Sequence, residues 1–159
     1  MRMGDANGPQ PGSIAEAMET LAGLQQEELI GQLGVSNVTA EQVAEARAVT
    51  PIVCVQNMYN LANRWDDHLI DSLAADNIAY VPFFPLGGFS PLQADALTAV
   101  ATRLETTQMA VALAWLLQRS ENILLIPGTS KVAHLRENIT GASLSLTAQD
   151  VAELDNINS

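Results

Sequence analysis

The run Ile123 to Asn138, ILLIPGTSKVAHLREN, holds the residues best spaced to do chemistry. Ile123 to Ile126 is an apolar run of strand length, and Pro127 and Gly128 end it. Thr129 or Ser130 can then cap a helix running through His134 and Asn138. A strand, a small polar turn and a helix start together suit an anion. First-turn amides lack intrahelical partners, and the helix dipole favours negative charge there. Lys131 adds a cation at the same point. His134 and Asn138 lie four apart on one face, with Glu137 beside it. These residues read as a phosphate or nucleotide site at the end of a buried strand. Taken alone, they also describe an ordinary capped helix after a core strand.

The elements that would position this site recur along the chain. Met1 to Gly12 is rich in Gly and Pro and is expected to be loop or disordered. Ser13, with Glu16 three residues on, reads as a capping box for a helix striped with Ile14, Met18, Leu21, Leu24 and Leu29, stopped by Gly31. Leu33 to Val35 reads as a strand ending at Ser36 and Asn37. Thr39 and Gln42 form a second capping box. Pro51 precedes a strand, IVCVQN, that ends at Gln56 and Asn57. Asp66 or Asp67 caps a third helix, which Asn77 closes. Ile78 to Phe83 is a third strand, followed by Pro85, Leu86, Gly87 and Gly88. Pro91 opens helical material from Leu92 to Leu104. Thr106 or Thr107 starts a helix, MAVALAWLLQ, apolar nearly all round and therefore buried. Ile123 to Ile126 is the fourth strand. Thr147 caps a final helix within Leu146 to Ile157.

Short apolar strands alternating with helices predict an α/β fold with about four parallel strands under helices. Ser36 with Asn37, Gln56 with Asn57, Pro85 to Gly87, and Gly128 to Ser130 all follow the C-terminal ends of strands. In parallel α/β folds ligands sit at that end. The 159 residues suit one domain, with 48% hydrophobic and 16% charged residues. A net charge of −11 argues against nucleic acid or an anionic membrane as partner. An anion site must therefore be local. The single cysteine, Cys54, reads as a buried thiol. No signal-peptide pattern and no apolar run of about 20 residues is present, which points to a soluble cytoplasmic protein.

Five pieces in order, GVSN at Gly34, VQNMYN at Val55, VPFFPLGG at Val81, ALAWLL at Ala112 and IPGTSKVAHLREN at Ile126, resemble the C-terminal half of an aldo-keto reductase. The resemblance runs from about Ser13 to the end. It implies a (β/α)8 TIM-barrel fold, here a half barrel over residues 13–159, and hydride transfer between NADPH and a carbonyl. It also implies roles for the strand ends. Ser36, Asn37 and Gln56 would hold the nicotinamide carboxamide, and Phe83 would stack on the ring. Pro85, Leu86 and Gly87 would wrap the pyrophosphate. Gly128, Thr129, Ser130 and Lys131 would form the phosphate loop, with Glu137 and Asn138 on adenine. His134 stands where many members carry Arg or Gln, which leaves NADPH against NADH preference open.

The same resemblance marks what is missing. The family's catalytic Tyr, Lys, Asp and His lie on the other half, and no catalytic residue is assigned here. Tyr59 and Tyr80 lack that context, and His68 reads as a solvated surface residue. The chain is expected to begin just before the barrel's fourth helix, with at most a strand stub at Met1 to Met3. Two consequences are expected. The chain carries the cofactor half and is inactive alone, taking a small carbonyl substrate only with the other half supplied. Its open sheet edges also invite homo-oligomers. A non-catalytic nucleotide-binding or scaffold module, or a fragment without independent function, is the alternative.

Overall fold

The structure is a computed structural model that describes residues 1–4, 8–87 and 94–158. Gly88, Pro91 and Leu92, expected in a turn and a helix start, lie outside the described residues. The first helix, α1 (Ala15–Gln26), precedes the sheet. Strand β1 (Gly34–Ser36), helix α2 (Ala40–Val49), strand β2 (Cys54–Gln56), helix α3 (Asp67–Ala75) and strand β3 (Ala79–Tyr80) follow in turn. The three strands are parallel in the order β1-β2-β3, with Val35 opposite Val55 and Val55 opposite Tyr80. Those three side chains are buried in the core, while Gly34, Ser36, Cys54 and Gln56 are half-exposed. One sheet face is thus packed against helices and the other is open. Helices α4 (Asp95–Arg103), α5 (Gln108–Arg119), α6 (Val132–Ala142) and α7 (Ala148–Asp155) complete the shell, before a 3₁₀ turn at Asn156–Asn158.

The fourth strand is shorter than expected. Ile123 adds a single parallel bridge to Tyr80, closed by Tyr80 N–H to the Asn122 carbonyl (2.8 Å) and Leu124 N–H to the Tyr80 carbonyl (2.9 Å). The next donor in this ladder would be residue 82, which is Pro82 and has no N–H. Pairing stops there, and Leu124 and Ile126 are exposed. At the other edge Arg2 bridges Ser36, with Met3 N–H on the Ser36 carbonyl (2.9 Å). The stub at Met1 to Met3 is therefore a parallel neighbour of β1. Nearer α1, Gln42 Nε2 donates to the carbonyls of Gln10 (2.9 Å) and Gly12 (2.8 Å).

Caps at Thr39, Thr107 and Thr147 form as read, each accepting an N–H three residues on. Ser13 does not form the expected capping box with Glu16: the N-cap of α1 is Ile14, and the Ser13 hydroxyl accepts the Ala15 N–H (3.2 Å). The same hydroxyl donates to Glu45, whose other oxygen accepts the Ile14 N–H at 2.7 Å, so a residue of α2 holds the start of α1. That helix ends at Gln26, before Gly31, with Glu28 at φ +60°. Asn77, at φ +55°, closes α3 as expected. Seven consecutive residues of α5, Ala110 to Leu116, are buried, which matches its all-round apolar pattern. Cys54 is only half-buried because it sits on the open face.

Candidate functional site

Three adjoining cavities run along the C-terminal ends of the strands. Ser36, Gln56 and Phe83 line the first, of about 490 Å³, together with Arg2 and Phe84. Phe83 and Phe84 continue into the second, also about 490 Å³, where Pro85, Leu86 and Gly128 form walls. Gly128 and Met109 are shared with the third, about 250 Å³, whose other walls are Thr129, His134, Glu137 and Asn138. The shared residues make one groove from β1 to the face of α6. A larger cavity of about 700 Å³ opens at the opposite end, beside Asn77 and Asn122. The rim of a parallel sheet where ligands bind is the C-terminal one, so the groove is the candidate site.

Local chemistry shapes each part of the groove. The Phe83 N–H donates to the Asn57 carbonyl (3.1 Å), which ties that strand end to β2. Phe84 takes φ +58° and Gly87 φ +85°, and the Gly87 N–H donates to the Phe84 carbonyl (3.0 Å), giving the turn at Pro85 and Leu86. Gly supplies the positive φ at little steric cost. At α6 the cap is Lys131, not Thr129 or Ser130, and its side chain makes no cap hydrogen bond. Thr129 Oγ1 instead accepts the Lys131 N–H (3.1 Å) in the approach. The first-turn amides of α6 therefore stay open to an anion. Ser130 and Lys131 are exposed beside the groove without lining it. Asn37 follows Ser36 at the end of β1. It is fully buried, at φ +52°, with its N–H on the Gln56 carbonyl (3.0 Å), so it shapes the turn behind Ser36.

A model of the aldo/keto reductase family matches residues 5–159, nearly the whole chain. This chain belongs to the aldo/keto reductase family. It is similar to pyridoxine 4-dehydrogenase of Escherichia coli (strain K12), with 60% identity over 155 residues, 98% of this chain and 54% of that protein. Among solved structures it is similar to a thermostable aldo-keto reductase in complex with the inhibitor epalrestat. There the TM-score is 0.83 at 28% identity, covering 95% of this chain and 57% of that one. It is also similar to an aldo-keto reductase complexed with NADPH, with a TM-score of 0.72 at 25% identity, covering 87% of this chain and 46% of that one. The chain spans about half the length of the curated relatives it matches. Its three-stranded parallel sheet with flanking helices is a partial aldo-keto reductase barrel.

Neither tyrosine of this family member lines the groove. Tyr59 is buried, donates to Asp67, stacks on Trp115 at 5.8 Å, and meets Tyr80 edge-on. Burial and the Asp67 carboxylate push its pKa up to about 12. Tyr80 donates to Asp66 Oδ2 at 2.8 Å; burial and that carboxylate raise its pKa too. Burial alone would raise the Asp67 carboxyl. Hydrogen bonds from Tyr59 and Arg119, and the charges of Arg64 and Arg119, outweigh it and hold the pKa below the usual value. His68 is exposed, as expected. Arg2, Phe84 and Met109 are groove residues that the sequence reading missed. The Thr107 cap was the available signal for Met109, since it sets the first turn of α5. Among the described residues no cluster of His, Cys, Asp or Glu could hold a metal ion, and no helix is long and apolar enough to cross a membrane.

Proposed function

We propose that the groove binds NADPH and that this chain is the cofactor-binding half of a carbonyl reductase. The observation that carries the reading is the continuity of the three cavities from Ser36 and Gln56 to the open N-terminus of α6. Ser36 and Gln56 offer a hydroxyl and an amide to the carboxamide. Phe83 offers a ring face to nicotinamide, and the turn at Pro85 to Gly87 follows the pyrophosphate. Gly128, Thr129, Ser130 and Lys131, with the first-turn amides of α6, take the ribose phosphate; His134, Glu137 and Asn138 take the adenosine. When bound, the cofactor supplies hydride. The chain's described residues orient it, and both tyrosine hydroxyls are engaged by carboxylates. A small carbonyl substrate would be reduced only with a general acid supplied by the complementary half. A cytoplasmic location belongs to the same proposal.

The test is titration with NADPH, followed by quenching of Trp65 and Trp115 emission, alongside NADPH oxidation with small aldehydes. Saturable quenching without turnover is expected. Turnover by the purified chain would overturn the claim that the acid lies elsewhere, and absence of quenching would overturn the cofactor site. We also propose that the chain self-associates. Leu124 and Ile126 at the sheet edge are 58% and 47% exposed, and Val132, Leu135 and Ile139 are exposed at helical spacing on α6. Sedimentation at micromolar concentration should show a dimer or larger, and a clean monomer would refute it.

A further inference from the structure

Asn57 follows Gln56 directly, yet its side chain serves the neighbouring strand. Its Nδ2 donates to the Val38 carbonyl at 2.8 Å, and its Oδ1 accepts the Val38 N–H at 3.1 Å. Val38 lies two residues beyond Ser36. The backbone carbonyl of Asn57 accepts the Phe83 N–H at 3.1 Å. One residue therefore ties together the three segments that carry Ser36, Gln56 and Phe83, and those three line one cavity. Asn57 is itself held. Nδ2 also donates to Asp66 Oδ2 at 2.7 Å, and the same oxygen accepts the Tyr80 hydroxyl at 2.8 Å. A carboxylate only accepts hydrogen bonds, so Asp66 dictates which end of the amide faces it. A flipped amide would set Oδ1 against both the Val38 carbonyl and the carboxylate. Tyr80 sits on β3, so the series Tyr80, Asp66, Asn57, Val38 spans all three strands behind the groove. Asn57 is 2% exposed and Tyr80 0%. Asp66 is half-exposed, and networks whose polar atoms are paired are stiff and cooperative.

We propose that Asn57, oriented by Asp66 and Tyr80, is a positioning residue that holds Ser36, Gln56 and Phe83 in one register for the nicotinamide ring. The inference rests on the cofactor reading above. It predicts an asymmetry: disturbing the network loosens the nicotinamide end and leaves the phosphate end, on α6, unchanged. The tests are Tyr80→Phe and Asn57→Asp, each titrated calorimetrically with NADPH and with adenosine 2′,5′-bisphosphate, which lacks nicotinamide. Tyr80→Phe removes one hydroxyl and keeps the ring against Tyr59, so it answers the question even where Asn57→Asp does not fold. Tyr80→Phe should weaken NADPH about tenfold, with the bisphosphate within about twofold of wild type, and Asn57→Asp should lose more on NADPH alone. Equal losses on both ligands would mean a merely structural role and overturn the inference, as would no loss on either. A wild-type chain that binds the bisphosphate but gains nothing from nicotinamide overturns it as well. A wild-type chain that binds neither ligand removes the cofactor reading and this inference with it.

Discussion

Gly141 lies in the last turn of α6, against Ala110 in the first turn of α5. A Cβ at position 141 would come 2.8 Å from the Ala110 Cα and 3.0 Å from its Cβ. Carbon atoms prefer about 3.5–4.0 Å, so in Gly141→Ala the helices must part by roughly 0.7 Å. Two effects compete. Ala favours a helix over Gly by up to about 1 kcal/mol, less near a helix end. Overpacking costs about 1–3 kcal/mol. The nearest atom is backbone, and no rotamer change relieves it, so overpacking wins. Gly141→Ala should destabilise by about 1 kcal/mol net, lowering Tm by about 2–4 °C for a chain of this length. The separation has a second effect. Helix α6 carries His134, Glu137 and Asn138, while α5 carries Met109, and all four wall the third cavity. Parting the helices widens it, so affinity for adenosine 2′,5′-bisphosphate should fall several-fold. Urea denaturation and calorimetric titration measure both. A variant that gains the full helical propensity and binds unchanged would refute the packing argument.

Other outcomes follow from the ion pairs and caps. The Asp150 carboxyl, ordinarily titrating at 3.8, is held down to about 2 by hydrogen bonds from the Thr147 hydroxyl, Arg103 and the Thr147 N–H. A depressed folded pKa gives stability that is complete above the unfolded value and is lost as pH falls through the folded one. The difference in urea midpoint between wild type and Asp150→Asn should hold steady from pH 7 to 5 and shrink between about pH 4 and 2. Arg119→Met removes bonds to the Asp67 carboxylate (3.2 Å), the Asp67 carbonyl (2.9 Å) and Asp71 (2.8 Å). It leaves the Asp67 carboxylate beside Tyr59 with Arg64 as its remaining cation (3.1 Å), and urea titration should show a loss of about 2 kcal/mol. Thr107→Ala removes the cap that accepts the Ala110 N–H and should cost about 1 kcal/mol in the same assay.

Helix caps show where sequence reading succeeds and where it stops. Thr39, Thr107 and Thr147 act on an amide three residues away, so their partner is in the same short stretch of chain and they were readable. Ser13 and Asp66 carry the same cap chemistry, but each has a stronger partner from elsewhere in the chain. Glu45 claims Ser13, and Asn57 and Tyr80 claim Asp66. The strand ends were legible for a related reason. Val35 and Val55 sit mid-strand in apolar runs, and the polar residues after them must lie on the common rim of a parallel sheet. That rim is where the cavities lie.

Local order thus sufficed for the alternation of strand and helix, the rim and the family to which the chain belongs. It could not supply the buried state of Asn37, the shortness of the pairing at Ile123, or the reach of Arg2 and Met109 into the groove. Each of those depends on which residue of a distant segment comes alongside, and a proline on one strand can end a ladder that the other strand could have continued. Contacts between residues far apart in the chain exist only after the chain has closed on itself, and no short window of sequence contains both partners.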